Sequence, residues 1–327
     1  MSIQLANTQV GMPVLLAPMA GITDLPFRNA VQKFGAGLVV SEMVASQEMV
    51  QAKPGVRERA ELGVAIENTA VQLAGRDAHW MGEAARMVAG RGAKIIDINM
   101  GCPAKKVTGG SSGSALMKDL DHALTLIAAV VAAVDIPVTL KTRLGWDDGA
   151  INAPELARRA EAAGVQMLTI HGRTRCQFYK GRADWGAIRQ VKKAVNIPVI
   201  ANGDIVDQAS ARTALAMSGA DGVMIGRGVQ GQPWLLAQVG AGLDLTAAPV
   251  APEGEELVEL VAGHYQETLG FYGVALGHRV ARKHLGWYMD RVATPAGLRR
   301  EILTQTMPAR VLAALPDALH APRLAAA

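Results

Sequence analysis

Short apolar runs recur along the chain, separated by stretches of helical periodicity. The runs lie at 14–17, 38–41, 70–73, 95–98, 138–141, 167–170, 199–201 and 222–225. Each is too short for a buried helix, so each predicts a buried parallel strand. Between them the pattern predicts helices over 78–89, 121–134, 154–163, 185–195 and 208–218, several with Asp or Asn at the start and a glycine such as Gly164 or Gly219 at the end. Asp135-Ile136-Pro137-Val138 and Asn196-Ile197-Pro198-Val199 repeat one helix-to-strand device. Strands alternating with helices predict βαβ units. Eight of them in about 230 residues match the count and length of a (β/α)8 TIM barrel. The rival, a doubly wound open sheet, needs fewer strands, and no Gly-x-Gly-x-x-Gly follows the first run. After Trp234 the pattern changes. Residues 240–254 are rich in Ala, Pro and Gly and predict a linker. Helical periodicity then covers 255–272, 278–290, 295–303 and 309–315. The expected organisation is an α/β barrel over residues 1–240 and an all-helical domain over 241–327.

In such a barrel the reactive face lies at the carboxyl ends of the strands. Those ends read Ala17-Pro18-Met19-Ala20-Gly21, Glu42-Met43, Gln72-Leu73-Ala74-Gly75, Asn99 to Lys106, Lys141-Thr142-Arg143, His171-Gly172-Arg173-Thr174, Asn202-Gly203-Asp204 and Gly226-Arg227-Gly228. Polar residues and glycines gather at nearly every one, which a purely structural barrel does not need. Composition narrows the rest. Of the 327 residues 50% are apolar, enough for a large core, and no run of about 18 apolar residues suggests a membrane span. The mixed, polar start has no signal-peptide pattern, so a cytoplasmic protein is expected. Two cysteines, Cys102 and Cys176, supply neither a disulfide framework nor a zinc site, and no metal is expected. A net charge of +4 fits an anionic partner without requiring one.

The strand ends also suggest chemistry. Cys102 stands in Asn99-Met100-Gly101-Cys102-Pro103-Ala104-Lys105-Lys106, where Gly101 and Pro103 predict a rigid turn after a strand. A thiol so placed, with two lysines beside it, suits a proton donor or nucleophile near an anionic ligand. Asn202-Gly203-Asp204 and Gly226-Arg227 end strands seven and eight, where barrels of this kind hold a phosphate. Lys141 should project into the barrel mouth, where a cation would stabilise the anion that a flavin becomes on reduction. Gln72 can donate to and accept from the same ring edge. Pro18 and Met19 offer an apolar surface for a flat ring. His171, Arg173 and Arg175 share one polar rim. The residues therefore point to a phosphate-bearing redox cofactor, FMN above all, opposite a cysteine.

These stretches resemble the tRNA-dihydrouridine synthases, most closely the bacterial B type. The likeness rests on Ala17 to Asp24, Gln72 to Gly75, Asp97 to Lys106, Lys141 to Arg143, His171 to Thr174, Ala201 to Ile205 and Gly226-Arg227. It runs from about Val14 to Leu236 and continues more weakly through the helical tail. The resemblance implies an FMN barrel with a helical domain that helps grip tRNA. The implied reaction reduces the C5=C6 bond of D-loop uridines, position 17 by analogy with the B type, with NADPH as electron donor. It implies flavin contacts from Pro18, Met19, Ala20, Gln72, Lys141 and His171. It places Asn202, Gly203, Asp204, Gly226 and Arg227 at the phosphate and ribityl end. It casts Cys102 as the acid that protonates uracil C5 after hydride reaches C6. Asn99 and Arg173 would sit near the uracil. Lys105, Lys106, Arg173, Arg175, Lys180, Arg282 and Lys283 become candidate tRNA contacts. The loop Thr108 to Ser114 is nearly uncharged, unlike that of many relatives, and suggests a flexible segment ordered on tRNA. Two rivals share parts of the pattern: an FMN barrel oxidoreductase of a free pyrimidine, and a non-catalytic flavin-containing RNA-binding protein. A monomer is the default expectation.

Overall fold

The computed structural model describes residues 2–53, 55–63, 68–244 and 248–320. Eight parallel strands close into a barrel: β3 (Val14–Leu16), β4 (Leu38–Val40), β6 (Thr69–Ala74), β7 (Ile95–Met100), β8 (Val138–Arg143), β9 (Met167–His171), β10 (Val199–Asn202) and β11 (Gly222–Ile225). Closure comes from β4 pairing with β6 through Val39↔Thr69 and Val40↔Ala70, and from β11 pairing with β3. The open-sheet alternative is thereby excluded. A short β5 (Val44–Ala45) extends the end of β6. Ahead of the barrel stands a hairpin that the pattern did not predict, β1 (Ile3–Leu5) with β2 (Thr8–Val10).

The helices on the outside are α1 (Leu25–Gln32), α2 (Ser46–Val50), α3 (Ala78–Gly90), α4 (Lys105–Thr108), α5 (Leu120–Val131), α6 (Ala153–Ala162), α7 (Trp185–Ala194), α8 (Gln208–Ser218) and α9 (Leu235–Asp244). Their starts are set by side chains that satisfy the free N–H groups of a first turn. Asp24, Asp77, Asp119, Asp184 and Asp207 each accept such a bond.

The strands are buried almost throughout, yet a period of two runs through them. Their outward residues, such as Val71, Leu73, Ile96, Ile98, Leu140, Leu168 and Ile170, pack against the helices in one large core. Their inward residues change along the strand. At the amino ends Leu15, Leu38, Ile95, Met167 and Ile200 form a plug, sealed by Leu5 and Val10 of the hairpin. Toward the carboxyl ends the same inward column carries Gln72, Asp97, Asn99, Thr139, Lys141, Arg143, His171 and Asn202. The barrel is thus sealed by apolar side chains at one end and lined by polar ones at the other.

Beyond the barrel lie α10 (Gly254–Tyr272), α11 (Val274–Arg291), α12 (Ala296–Thr304) and α13 (Pro308–Leu319). The expected linker over 240–254 is shorter than read, because α9 runs on to Asp244; part of that segment lies outside the described residues. Helix α11 begins at Val274, earlier than expected, and α13 continues past Pro316. Trp234 is fully buried among Leu257, Val261, Tyr265 and Leu285 of this helical layer. Its ring also meets Phe34 of the barrel edge-on at 5.8 Å, and Arg291 lies over it at 5.0 Å. Among the described residues no helix is long and apolar enough to cross a membrane.

Trp234 therefore ties the two parts together. Trp234→Ala is expected to cost about 3–5 kcal/mol, the usual loss for a buried large side chain. Thermal melting should move down, and limited proteolysis should cut between α9 and α10 faster than in the parent.

Candidate active site

The inward polar column opens into a cavity of about 720 Å³ at the carboxyl end of the barrel, within the size range of ligand pockets. One wall is Ala17, Pro18 and Met19, the floor is Gln72, Asn99, Lys141 and Asn202, and Cys102 and Ala104 lie on the rim. Gly203, Asp204, Gly226, Arg227 and Gly228 line the far side. Each sequence-predicted cofactor residue except Ala20 comes from a strand or the first residues after it. Alternation along the strands brings these residues together although they are far apart in the chain.

A chain of hydrogen bonds crosses the floor. Thr139 Oγ1 and Gln72 Nε2 both donate to Asp97, each at 2.6 Å. Asn99 Nδ2 donates to Gln72 Oε1 at 2.7 Å, and the backbone N–H of Cys102 donates to Asn99 Oδ1 at 3.1 Å. Lys141 Nζ donates to Asn202 Oδ1 at 3.0 Å, and Asn202 Nδ2 donates to the Met224 carbonyl at 2.8 Å. Burial lowers the Lys141 ammonium to about 8, with Arg143 adding repulsion and Asp97 opposing it. Lys141 is therefore mostly charged at neutral pH and loses its charge in mild alkali. His171 is buried and surrounded by Lys141, Arg143, Arg173 and Arg227. Desolvation first, and those cations next, hold it well below the ordinary histidine range, so it is neutral.

The turn carrying Cys102 is fixed on every side. The Ser114 hydroxyl and N–H both donate to the Cys102 carbonyl, at 2.8 and 3.1 Å. Gly113 has φ +60°, and a Cβ there would stand 2.9 Å from that same carbonyl oxygen. This corrects the expectation for Thr108 to Ser114. The segment is not a free loop: Lys105–Thr108 is helical, Gly113–Lys118 is a 3-10 turn, and Ser114 is fully buried against the cysteine. Arg143, which the sequence reading left without a role, is buried and donates to the carbonyls of Gly101 (2.8 Å), Thr174 (2.9 Å) and Phe178 (2.8 Å). It thereby joins the loops after β7 and β9. Tyr179, also missed, stands on the rim under Arg227, 4.8 Å from its guanidinium.

The expected RNA contacts divide into two groups. Lys105, Lys106 and Lys180 are exposed. Arg175 lies over Trp146 at 4.7 Å and reaches Thr108. Arg173 is different: it is 2% exposed and donates to the carbonyls of Lys180 and Gly181 and to Asp204. It braces the loop after β9 and offers no charge at the surface. Asp204 also accepts from Ala183 N–H at 2.8 Å and faces Arg227 at 3.7 Å. Burial works against its charge, but the Arg173 bond and its neighbours hold it below the usual carboxylate range. Its carboxylate thus anchors two arginines, leaving Arg227 and the backbone of Gly203, at φ +111°, toward the cavity. Lys283 is half-buried and donates to the Gly21 carbonyl, beside Asp24 and Glu42. Glu42 in turn accepts from Gly21 N–H. Lys283 links α11 to the loop after β3, with Ala20 at its exposed tip. Arg282 is half-buried beside it.

The donor set fits a flavin mononucleotide. A cation and three amides at the floor suit a ring edge that carries both carbonyl and N–H groups. An apolar wall suits the ring face, and Arg227 with Gly203 and Gly226 suits a phosphate.

Comparison with known proteins gives the family. The model of the family described as dihydrouridine synthase (Dus) matches residues 15–322. A probable tRNA-dihydrouridine synthase of Rhodobacter capsulatus is 62% identical over 320 residues, 97% of this chain and 98% of that one. One of Rhizobium leguminosarum bv. phaseoli is 56% identical, covering 94% and 95% of the two chains. A tRNA-dihydrouridine synthase B of Vibrio vulnificus is 44% identical, covering 91% and 92%. Among solved structures, a 2-naphthoyl-CoA reductase in complex with 2-naphthoyl-CoA superposes with a TM-score of 0.59 at 14% identity. That match covers 74% of this chain and about half (52%) of the reductase, and it bears on the fold alone. With a family model spanning nearly the whole chain and relatives this similar end to end, the chain belongs to the dihydrouridine synthase family.

Proposed function

We propose that this enzyme is an FMN-dependent tRNA-dihydrouridine synthase that reduces the C5=C6 bond of a D-loop uridine, with NADPH as electron donor. The observation that carries the reading is the placement of Cys102. Its turn is pinned through Asn99 and Ser114 at the rim of a cavity whose floor holds Lys141, Gln72 and Asn202. Relatives named as tRNA-dihydrouridine synthases, at 62% and 56% identity, support the substrate class.

When bound, the flavin supplies the hydride that adds to uracil C6. The protein supplies the rest. Lys141 and Gln72 hold the polar edge of the ring, and the Lys141 charge stabilises negative charge that develops there. Pro18 and Met19 take the ring face, and Arg227 takes the phosphate. Cys102 Sγ gives its proton to uracil C5, and the resulting thiolate recovers a proton from solvent at the open rim. Neutral His171 adds no further cation to a floor already occupied by Lys141 and Arg143. A uridine of folded tRNA must leave its stack to reach this cavity, at a cost of a few kcal/mol. Exposed Lys105, Lys106 and Lys180 near the mouth suit the flanking phosphates and offset that cost.

Cys102→Ala should retain its flavin and its tRNA affinity while dihydrouridine formation falls by about two to four orders of magnitude, the usual contribution of a positioned acid. Flavin content, a salt titration of tRNA binding and nucleoside mass spectrometry check the three parts. Loss of flavin in the variant would instead make Cys102 structural.

The low Lys141 pKa gives a pH dependence with a definite sign. Its ammonium is held below about pH 8 and lost above it. Stopped-flow reduction of the bound flavin by NADPH should therefore slow as pH rises through about 8. Lys141→Ala should be slower at pH 7 and lack that alkaline limb. An unchanged profile would remove Lys141 from the role.

A further inference from the structure

Asp97 touches nothing that the proposed reaction handles. It lies mid-strand in β7, two residues below Asn99, and is 3% exposed. A buried carboxylate is costly unless it is bonded and its charge is balanced. Here Thr139 and Gln72 satisfy its two oxygens, and the charge of Lys141 stands on the adjacent strand. An apolar residue would fill this layer without that cost, so the carboxylate calls for a reason.

The reason lies in the direction of the chain above it. A backbone N–H can only donate, so Asn99 must face Cys102 with Oδ1. Its Nδ2 then donates to Gln72 Oε1, which leaves Gln72 Nε2 to donate downward. Burial pushes the Asp97 carboxyl above its usual range, opposed by the Thr139 and Gln72 bonds and the charge of Lys141. Both of its oxygens accept, one from Thr139 Oγ1 and one from Gln72 Nε2, so Asp97 imposes the same direction from the other end. Reversing either amide would set N–H against N–H at Cys102 or oxygen against oxygen at Asp97. Resting on the synthase reading of this site, we infer that Asp97 is a positioning residue: it locks the orientation of Gln72 and Asn99, and through them the turn that presents the Cys102 thiol. The same lock fixes what Gln72 offers upward to a ligand, one remaining N–H and one lone pair.

The test is the alkylation rate of Cys102 by iodoacetamide in the full-length protein as purified, at matched flavin content. Peptide mass spectrometry separates it from exposed Cys176. Asp97→Ala should raise the rate about tenfold, the population change that loss of one hydrogen bond of ordinary strength produces. Asp97→Asn should stay near the parent rate, because the new amide can turn its oxygen to Gln72 and its nitrogen to Thr139 Oγ1. Adding Thr139→Val removes that acceptor, and the rate should rise again. A residue that merely fills volume would leave Asp97→Asn and its Thr139→Val derivative alike. Equal rates in those two, or a folded Asp97→Ala at the parent rate, overturn the inference. If Asp97→Ala does not fold, the other two variants still decide. The assay uses neither NADPH nor tRNA, so its failure is distinct from a failure to form dihydrouridine.

Discussion

The guanidinium of Arg143 is the constraint on which the reactive face depends. It is 2% exposed and donates to three carbonyls, Gly101, Thr174 and Phe178, which belong to the loops after β7 and β9. A planar fork of donors suits this task where a lysine could not reach all three. Burial lowers it to about 10, still charged at neutral pH. Because one cation holds both loops, the thiol turn and the aromatic rim of Phe178 and Tyr179 are fixed relative to each other. Phe178 sits at φ +57°, a conformation costing roughly 1 kcal/mol or more for a residue with a side chain, and its carbonyl bond to Arg143 helps hold it there.

The barrel converts a simple alternation into a graded interior. Outward positions remain apolar along the whole strand because helices cover them. Inward positions are apolar where the hairpin β1–β2 seals the base and polar where the cavity opens. The functional groups therefore stand on strands, whose positions the barrel fixes tightly, and the loops add the thiol, the glycines and Arg227. Cations recur through the site, but many of them are internal. Arg143 and Arg173 hold loops, and Lys283 holds the loop after β3 to α11. Lys105, Lys106 and Lys180, by contrast, stand exposed around the mouth.

Much of this is legible in the sequence. The apolar runs locate all eight barrel strands, and the polar residues after them locate the cavity. Cys102, Gln72, Asn99, Lys141 and Asn202 lie together because each is a strand-end residue, which local pattern reveals. What pattern does not reveal is a partner distant in the chain. Nothing near Arg173 announces that Asp204 will neutralise it, and nothing near Lys283 points to Gly21, 262 residues away. The Thr108 to Ser114 segment looks like a flexible linker by composition, yet its glycine permits the close approach that lets Ser114 grip the Cys102 carbonyl. Asp97 is hidden for a related reason: within an apolar run a single carboxylate reads as part of a motif until the two donors that meet it are seen.

The central claim is that this cavity reduces a uridine within tRNA. The measurement that meets it most directly is incubation of the purified protein with NADPH and unmodified tRNA, followed by position-mapped nucleoside mass spectrometry. The account predicts a gain of two hydrogens on a D-loop uridine. A flavin that NADPH still bleaches, with no mass change anywhere in the tRNA, would contradict it and point to a free pyrimidine as the substrate.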